Sequence, residues 1–139
     1  MKHFLFFPIM CLSLFFGESS ESPIPDPSAV YCRFLGYDYV IRKDFKGNEY
    51  AVCIFPDGSE CDTWSFYRGT CGQKYSYCSK KGCETKSITE DKGSFRVTYC
   101  ACVCIDSVGK EKVIPLKQFM EQNGDTLIKS NPGIDRKGK

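Results

Sequence analysis

The chain has 139 residues, a formal net charge of +2, ten cysteines and a single histidine, His3. This nearly balanced charge argues against a nucleic-acid partner, because dedicated nucleic-acid binders usually concentrate basic residues on one face. It gives no sign of an acidic substrate either. Ten cysteines indicate disulfides if the chain is exported, and metal or redox chemistry if it stays in the cytosol.

The N-terminal segment predicts export. Lys2 and His3 precede an apolar run over residues 4–16, which is too short for a membrane span because a transmembrane helix needs about 20 residues. We therefore expect a cleaved signal peptide at residues 1–19. An uncleaved membrane anchor is the alternative, and only in that case do we expect the protein to contact a membrane.

Cleavage would remove Cys11 and His3, so the mature chain would hold nine cysteines and no histidine. The loss of His3 excludes a histidine general base, a Ser-His or Cys-His nucleophile pair, and histidine-ligated zinc. We expect no catalytic residue and no enzyme activity. The odd number of cysteines leaves one thiol without an intramolecular disulfide partner.

The first cysteine-rich unit is predicted at residues 28–72, after a proline-rich linker at 20–27. Gly36 would end a first helix, and a polar stretch would join two strands of a hairpin. A capping box at 59–62 would open a second helix that ends at Gly69. In chain order we expect a helix at 29–35, strands at 39–43 and 49–55, and a helix through 68.

The second, divergent cysteine-rich unit is predicted at residues 73–124. Its Tyr77-Cys78 and Gly82 repeat the pattern of Tyr31-Cys32 and Gly36 in the first unit. We expect a helix at 77–81, strands at 86–90 and 95–105, and a helix with one apolar face formed by Leu116, Phe119 and Met120. Residues 125–139 would form a basic flexible tail. The predicted fold class is α+β, a small disulfide-stapled domain made of two tandem helix–hairpin–helix units.

Pairing in the first unit follows from the repeat. The second unit keeps counterparts of Cys32 and Cys53 but not of Cys61 and Cys71, so we expect disulfides Cys32–Cys53 and Cys61–Cys71. The second of these bonds requires the chain to turn back at Gly69, because ten residues of continuous helix would separate the two cysteines by about 15 Å. Without that turn, Cys53–Cys61 and Cys32–Cys71 become the better pairing.

In the second unit, Cys100, Cys102 and Cys104 alternate along a predicted strand and therefore share one face. Cys78 should pair with Cys102 or Cys104, and Cys83 with one of the three. We favour disulfides Cys78–Cys104 and Cys83–Cys102, with Cys83–Cys100 as the alternative to the latter. Cys100 is the candidate free thiol. An all-sulfur metal site of Cys83, Cys100, Cys102 and Cys104 is the alternative to disulfides. Export already explains these cysteines, so we expect no metal and no cofactor.

Two smaller groups of residues are also candidates for binding. Asp57, Glu60 and Asp62 could hold a hard cation, but their spacing fits no calcium loop, and turn and capping roles are favoured. The aromatic residues Trp64, Phe66 and Tyr67 could be a binding surface, although a half-buried core helix is the commoner arrangement. Arg68 could stack on these rings.

A specific run extends from Cys53 to Cys61, with the sequence Cys-Ile-Phe-Pro-Asp-Gly-Ser-Glu-Cys. Together with Ala29-Val30-Tyr31-Cys32 and Arg68-Gly69-Thr70-Cys71, it resembles an exported bacterial and archaeal family of unknown function, whose members often carry a provisional haemolysin label. The resemblance covers about residues 27–72 and implies an exported domain. Its label implies membrane damage, but no catalytic residue is carried over, and Cys83 and the cysteines of the 95–105 strand depart from the family pattern.

These observations favour a non-enzymatic protein that is secreted or resides in the periplasm or cell envelope, where it binds an extracellular or envelope partner of unknown identity. The first alternative is a haemolysin-like, membrane-active toxin. The second is a metal- or redox-active thiol protein that uses the face of Cys100, Cys102 and Cys104. A protease inhibitor that exposes the turn at 56–58 is a minor further hypothesis.

Overall fold

The computed structural model describes residues 25–127. The expected signal peptide, most of the linker and residues 128–139 of the tail lie outside this range. Within it, the helices are α1 Pro27–Phe34, α2 Thr63–Tyr67, α3 Tyr77–Lys80 and α4 Leu116–Gln122. The strands are β1 Asp38–Lys43, β2 Glu49–Ile54, β3 Glu60–Asp62, β4 Glu84–Asp91, β5 Arg96–Ile105 and β6 Glu111–Pro115, and a 3₁₀ turn spans Gln73–Tyr75. None of the helices in the described range combines the length and apolar character that a bilayer crossing requires.

The strands form two separate antiparallel sheets, β1-β2-β3 and β4-β5-β6. Each sheet is preceded by one helix and followed by another, so the order helix, three strands, helix occurs twice. The α+β class is confirmed, but the two helix–hairpin–helix units are wrong because each sheet has a third strand. Asp62 does cap α2, since its carboxylate accepts the Ser65 N–H at 2.9 Å, but the residues before it pair with β2.

One hydrophobic core spans both halves of the described chain. Tyr31 of α1, Phe66 of α2 and Tyr77 of α3 are buried together with Leu116 and Met120 of α4. The buried hydroxyl of Tyr31 accepts the backbone N–H of Tyr77 at 2.9 Å. The halves are therefore packed against each other, as expected when neither is large enough to bury a sufficient core alone.

The structure joins Cys32 of α1 to Cys53 of β2, and Cys61 of β3 to Cys71. These are the partners favoured from the repeat, and the alternative pairing Cys53–Cys61 with Cys32–Cys71 does not occur. Gly69 makes the second bond possible. It adopts a φ of +76° directly after α2, which returns the chain so that the two α-carbons lie 6.0 Å apart.

In the second half, the disulfides Cys78–Cys102 and Cys83–Cys104 replace the expected Cys78–Cys104 and Cys83–Cys102. Strand register is the reason. Glu84 opens β4 opposite Val103, so Cys83, one residue earlier, lies opposite Cys104, with 4.7 Å between the α-carbons. The alternative Cys83–Cys100 is excluded by the same register.

Candidate functional site

A groove lies where the two halves meet, and it consists of two adjoining cavities. The larger cavity has a volume of about 470 Å³ and the smaller about 330 Å³. Tyr67, Leu116 and Lys117 line both, so the cavities adjoin at these residues. Each volume falls within the range of about 300–1,000 Å³ that is typical of small-molecule sites.

One wall of the groove is formed by α2. Trp64 lies three residues before Tyr67 and four before Arg68, the residue that follows the last residue of α2. This spacing places the three side chains on one face, whereas Phe66 points into the core. The guanidinium carbon of Arg68 lies 5.2 Å from the centroid of the Trp64 ring, and the Trp64 and Tyr67 ring centroids are 5.9 Å apart. Trp64 remains 38% exposed. Phe66 therefore belongs to the core, whereas Trp64 and Tyr67 line the groove.

The opposite wall comes from the second half of the chain. Leu116, Lys117 and Met120 of α4 face the groove, and Thr98 and Tyr99 of β5 border its smaller cavity. Leu116 and Met120 are buried members of the core, which fixes the helix against the sheet. Both walls are therefore attached to the packed interior, and this is the arrangement that a preorganised binding site needs.

Charge is distributed unevenly along the groove. Arg68 and Lys117 line the smaller cavity, and no carboxylate does. The larger cavity has Glu121 and Asp125 among its lining residues. Asp125 already accepts a hydrogen bond from the Tyr77 hydroxyl at 2.6 Å, which leaves Glu121 as the exposed carboxylate at this end. One end of the groove is thus cationic and aromatic, and the other is mainly apolar with Lys117 and two carboxylates among its lining residues.

Cys100 lies at the base of the smaller cavity, and it is the free cysteine of residues 25–127. Its side chain is only 3% exposed, and a Cβ placed on Gly69 would lie 3.0 Å from its Sγ. Burial raises the pKa of the Cys100 thiol to about 12. This thiol is therefore neutral at physiological pH, and a neutral buried thiol behaves as a small apolar side chain and not as a nucleophile.

The structure does not provide four free thiols for the alternative all-sulfur metal site. Cys83, Cys102 and Cys104 are bonded in disulfides, so Cys100 is the one thiol left of that set. Over residues 25–127 no group of three or more histidine, cysteine, aspartate or glutamate side chains is arranged to hold a metal ion.

The acidic residues near the 56–58 turn have structural partners. Asp57 accepts hydrogen bonds from Ser59, which lower the pKa of its carboxyl group, and it also pairs with Lys74 at 3.0 Å. Glu60 pairs with Arg42 at 2.6 Å. Because each carboxylate already serves a turn, a cross-strand pair or a helix cap, this cluster does not form a cation site.

The sequence predicts a candidate surface of Trp64, Phe66 and Tyr67 with Arg68 stacked on the rings, of which the buried Phe66 does not reach the groove. It gives no signal for the second wall, since it places Leu116 only on the core face of its helix and marks neither Lys117 nor Thr98. Lys117 stands beside a core residue at the start of an amphipathic helix, a position that carries no local signal of binding. Its place in the groove depends on how α4 packs against β5.

Comparison with known proteins supports only part of the resemblance to an exported family. Residues 23–70 match the family described as "Domain of unknown function (DUF333)". An uncharacterized protein of Archaeoglobus fulgidus is 38% identical over 84 residues, which make up 60% of this chain and 39% of that protein. The chain thus spans about two fifths of the length of the curated relative it matches. No solved structure matches the chain. Neither description mentions haemolysis.

Proposed function

We propose that this chain is an exported, non-enzymatic binding protein, either secreted or held in the periplasm or cell envelope, and that the groove between its halves takes the ligand. The observation that carries this proposal is the groove itself. An exposed tryptophan and two cationic side chains line it on walls that come from both halves of the chain. Concave sites lined by aromatic and apolar side chains with a few polar groups are the usual form of small-molecule sites.

The cystine framework supports the same proposal. A small disulfide-rich domain fits an extracellular or envelope protein, because disulfides persist where the environment is oxidising. The disulfide Cys61–Cys71 brackets α2, and Cys78–Cys102 and Cys83–Cys104 hold β5. Covalent bonds thereby hold α2 on one wall and the β5 part of the other, which lowers the entropy that a ligand must remove on binding.

Trp64 makes the proposal directly testable, because it is the only tryptophan of the chain. Its fluorescence should change saturably when the groove is filled. We would titrate the oxidised protein with three probe classes: neutral sugar oligomers, short peptides, and single-chain amphiphiles of each charge. At least one class should give a saturable signal below about 1 mM, which corresponds to a binding free energy of about 4 kcal/mol. The absence of saturation in all three classes would reject the proposal.

A matched pair of variants locates the site by calorimetry. Trp64→Ala removes an aromatic ring from the groove, and Tyr50→Ala removes one of similar exposure, 42%, from outside it. The first variant should weaken the binding of the active probe by about tenfold or more, since a stacked aromatic group contributes about 1–3 kcal/mol. The second should bind as the wild type does. Equal losses in both variants would show that binding takes place elsewhere.

A membrane-active role is the second candidate, and one observation favours it. Phe45, at the turn between β1 and β2, is 94% exposed, and Phe95 is exposed before β5. Exposed aromatic side chains at loop tips can insert at a membrane interface. Dye release from liposomes by the oxidised protein tests this role, with Phe45→Ser as the variant that should abolish it. Intact liposomes at micromolar protein would exclude it.

A further inference from the structure

We infer that the ligand of the groove is an amphipathic organic anion, a molecule with one carboxylate head and an unbranched apolar body. This inference rests on the proposed function and adds a chemical class and an orientation to it. The head would lie between Arg68 and Lys117 in the smaller cavity, and the body would extend into the larger cavity beside Leu116 and Met120.

The smaller cavity selects the charge of the head. Arg68 and Lys117 are its charged lining residues, and both side chains are exposed. Over residues 25–127 neither forms an ion pair with a carboxylate, whereas six other basic side chains do. Two cations on a partly apolar surface create a positive potential that favours an anion. The planar guanidinium of Arg68 also suits the two oxygens of a carboxylate.

The larger cavity selects the body. Pro27, Tyr67, Leu116, Met120 and Leu127 supply an apolar surface in a volume of about 470 Å³. Since an unbranched chain gains affinity in proportion to the apolar area it buries, each added CH₂ should strengthen binding by about fourfold until the cavity is filled. A compact polar ligand would leave this surface in contact with water.

Glu121 sets the orientation. It lies four residues after Lys117 on α4 and lines the larger cavity only. A carboxylate head placed in the larger cavity would meet Lys117 together with the like charge of Glu121, whereas in the smaller cavity it meets Arg68 and Lys117 and no carboxylate. Asp125, the other acidic group of the larger cavity, is held by the Tyr77 hydroxyl and lies 4.0 Å from Lys81. The head therefore belongs at the Arg68 end of the groove.

The experiment uses the oxidised protein and the Trp64 fluorescence signal with four probes: decanoate, octanoate, decyltrimethylammonium and decyl maltoside. Decanoate should bind saturably. Octanoate, shorter by two CH₂ groups, should bind about fifteenfold more weakly. The cationic and the neutral ten-carbon probes should bind more weakly than decanoate by at least about fivefold.

Charge variants test the head position. Arg68→Gln and Lys117→Gln should each weaken decanoate binding by about fivefold, the effect expected from losing one partly exposed charge pair. Both side chains are exposed, so the fold should be unaffected, and a circular dichroism spectrum checks this. Lys110→Gln removes the same charge from a turn outside the groove and is the matched control, which should bind as the wild type. Glu121→Gln should strengthen binding slightly or leave it unchanged.

The outcomes separate the two proposals. If decyltrimethylammonium or decyl maltoside binds as well as decanoate, or if Lys110→Gln weakens binding as much as Lys117→Gln does, the anionic ligand class is wrong while groove binding stands. If only sugars or peptides bind, the anionic ligand class is likewise wrong while groove binding stands. If the protein binds phosphatidylglycerol vesicles but not monomeric decanoate, the anion belongs to a membrane and the inference is overturned. If no probe binds at all, both proposals fail.

Discussion

The free thiol of Cys100 should resist alkylation as long as the protein stays folded. The side chain is 3% exposed, and burial raises its pKa to about 12. At about pH 8 the thiolate fraction is then roughly 10⁻⁴, compared with roughly one quarter for an exposed cysteine whose pKa is about 8.5. Because the thiolate is the reactive form, we expect Cys100 to react with iodoacetamide roughly 2,000-fold more slowly than glutathione does.

Intact-mass spectrometry of the oxidised protein measures this difference. Native protein should remain unmodified over a period in which glutathione is fully alkylated. After unfolding in guanidinium chloride without a reductant, the protein produced without residues 1–19, and therefore without Cys11, should gain one carbamidomethyl group. The four disulfides should still be present, so eight hydrogens are missing relative to the reduced chain.

Two results would refute this reasoning. A native alkylation rate within about tenfold of that of glutathione would show that Cys100 is neither buried nor protonated as described. A gain of three or more groups in the unfolded oxidised protein would show that at least one cystine is not formed. A Cys100→Ala variant is the control, and it should gain no group under either condition.

Three further predictions concern stability. Between about pH 9 and pH 10, the unfolding free energy of the wild type should fall by up to about 1.4 kcal/mol per pH unit more than that of Cys100→Ala, because the unfolded thiol loses its proton while the folded one keeps it. The raised pKa of the buried Tyr31 hydroxyl lowers the stability of both proteins at higher pH. Urea titrations at several pH values would show parallel slopes for the two proteins if the reasoning on Cys100 is wrong. Tyr31→Phe should lower the unfolding free energy by about 1–3 kcal/mol in the same assay, since it leaves the buried N–H of Tyr77 without an acceptor. An unchanged urea midpoint would contradict this prediction. Gly72→Ala should lower the unfolding free energy by about 1–3 kcal/mol more than Gly36→Ala does. Both glycines have positive φ, but only at Gly72 would a Cβ approach a ring carbon of Phe55 to 2.6 Å. Equal losses of stability in the two variants would refute this contact.

The local elements of the first half could be predicted from sequence because their signals are local. The helix expected at 29–35 and the strands expected at 39–43 and 49–55 lie within two residues of α1, β1 and β2. β3 was missed because it has three residues and a single buried position, too few to show an alternating pattern. Its pairing with β2 depends on a neighbour that sequence spacing does not reveal.

The cystine pairs of the second half show a second limit. Cys102 and Cys104 share one face of β5, so spacing alone does not determine which of them meets the cysteine in α3 and which meets Cys83. Register decides it, and register depends on where β4 begins. The expected strand started at 86, two residues late, and this late start hid the pairing of Glu84 with Val103.

The position of the groove limits what relatives of this chain can indicate about its ligand. The family match at residues 23–70 includes Trp64 and Arg68 on one wall, but it ends before β5 and α4, which form the other wall. A relative with a different second half would keep the aromatic and cationic helix α2 but would lack Lys117 and the apolar cavity beside Met120. In the proposed mode of binding, both walls contact the anion, so ligand selectivity should change with the second half even where the first half is closely similar.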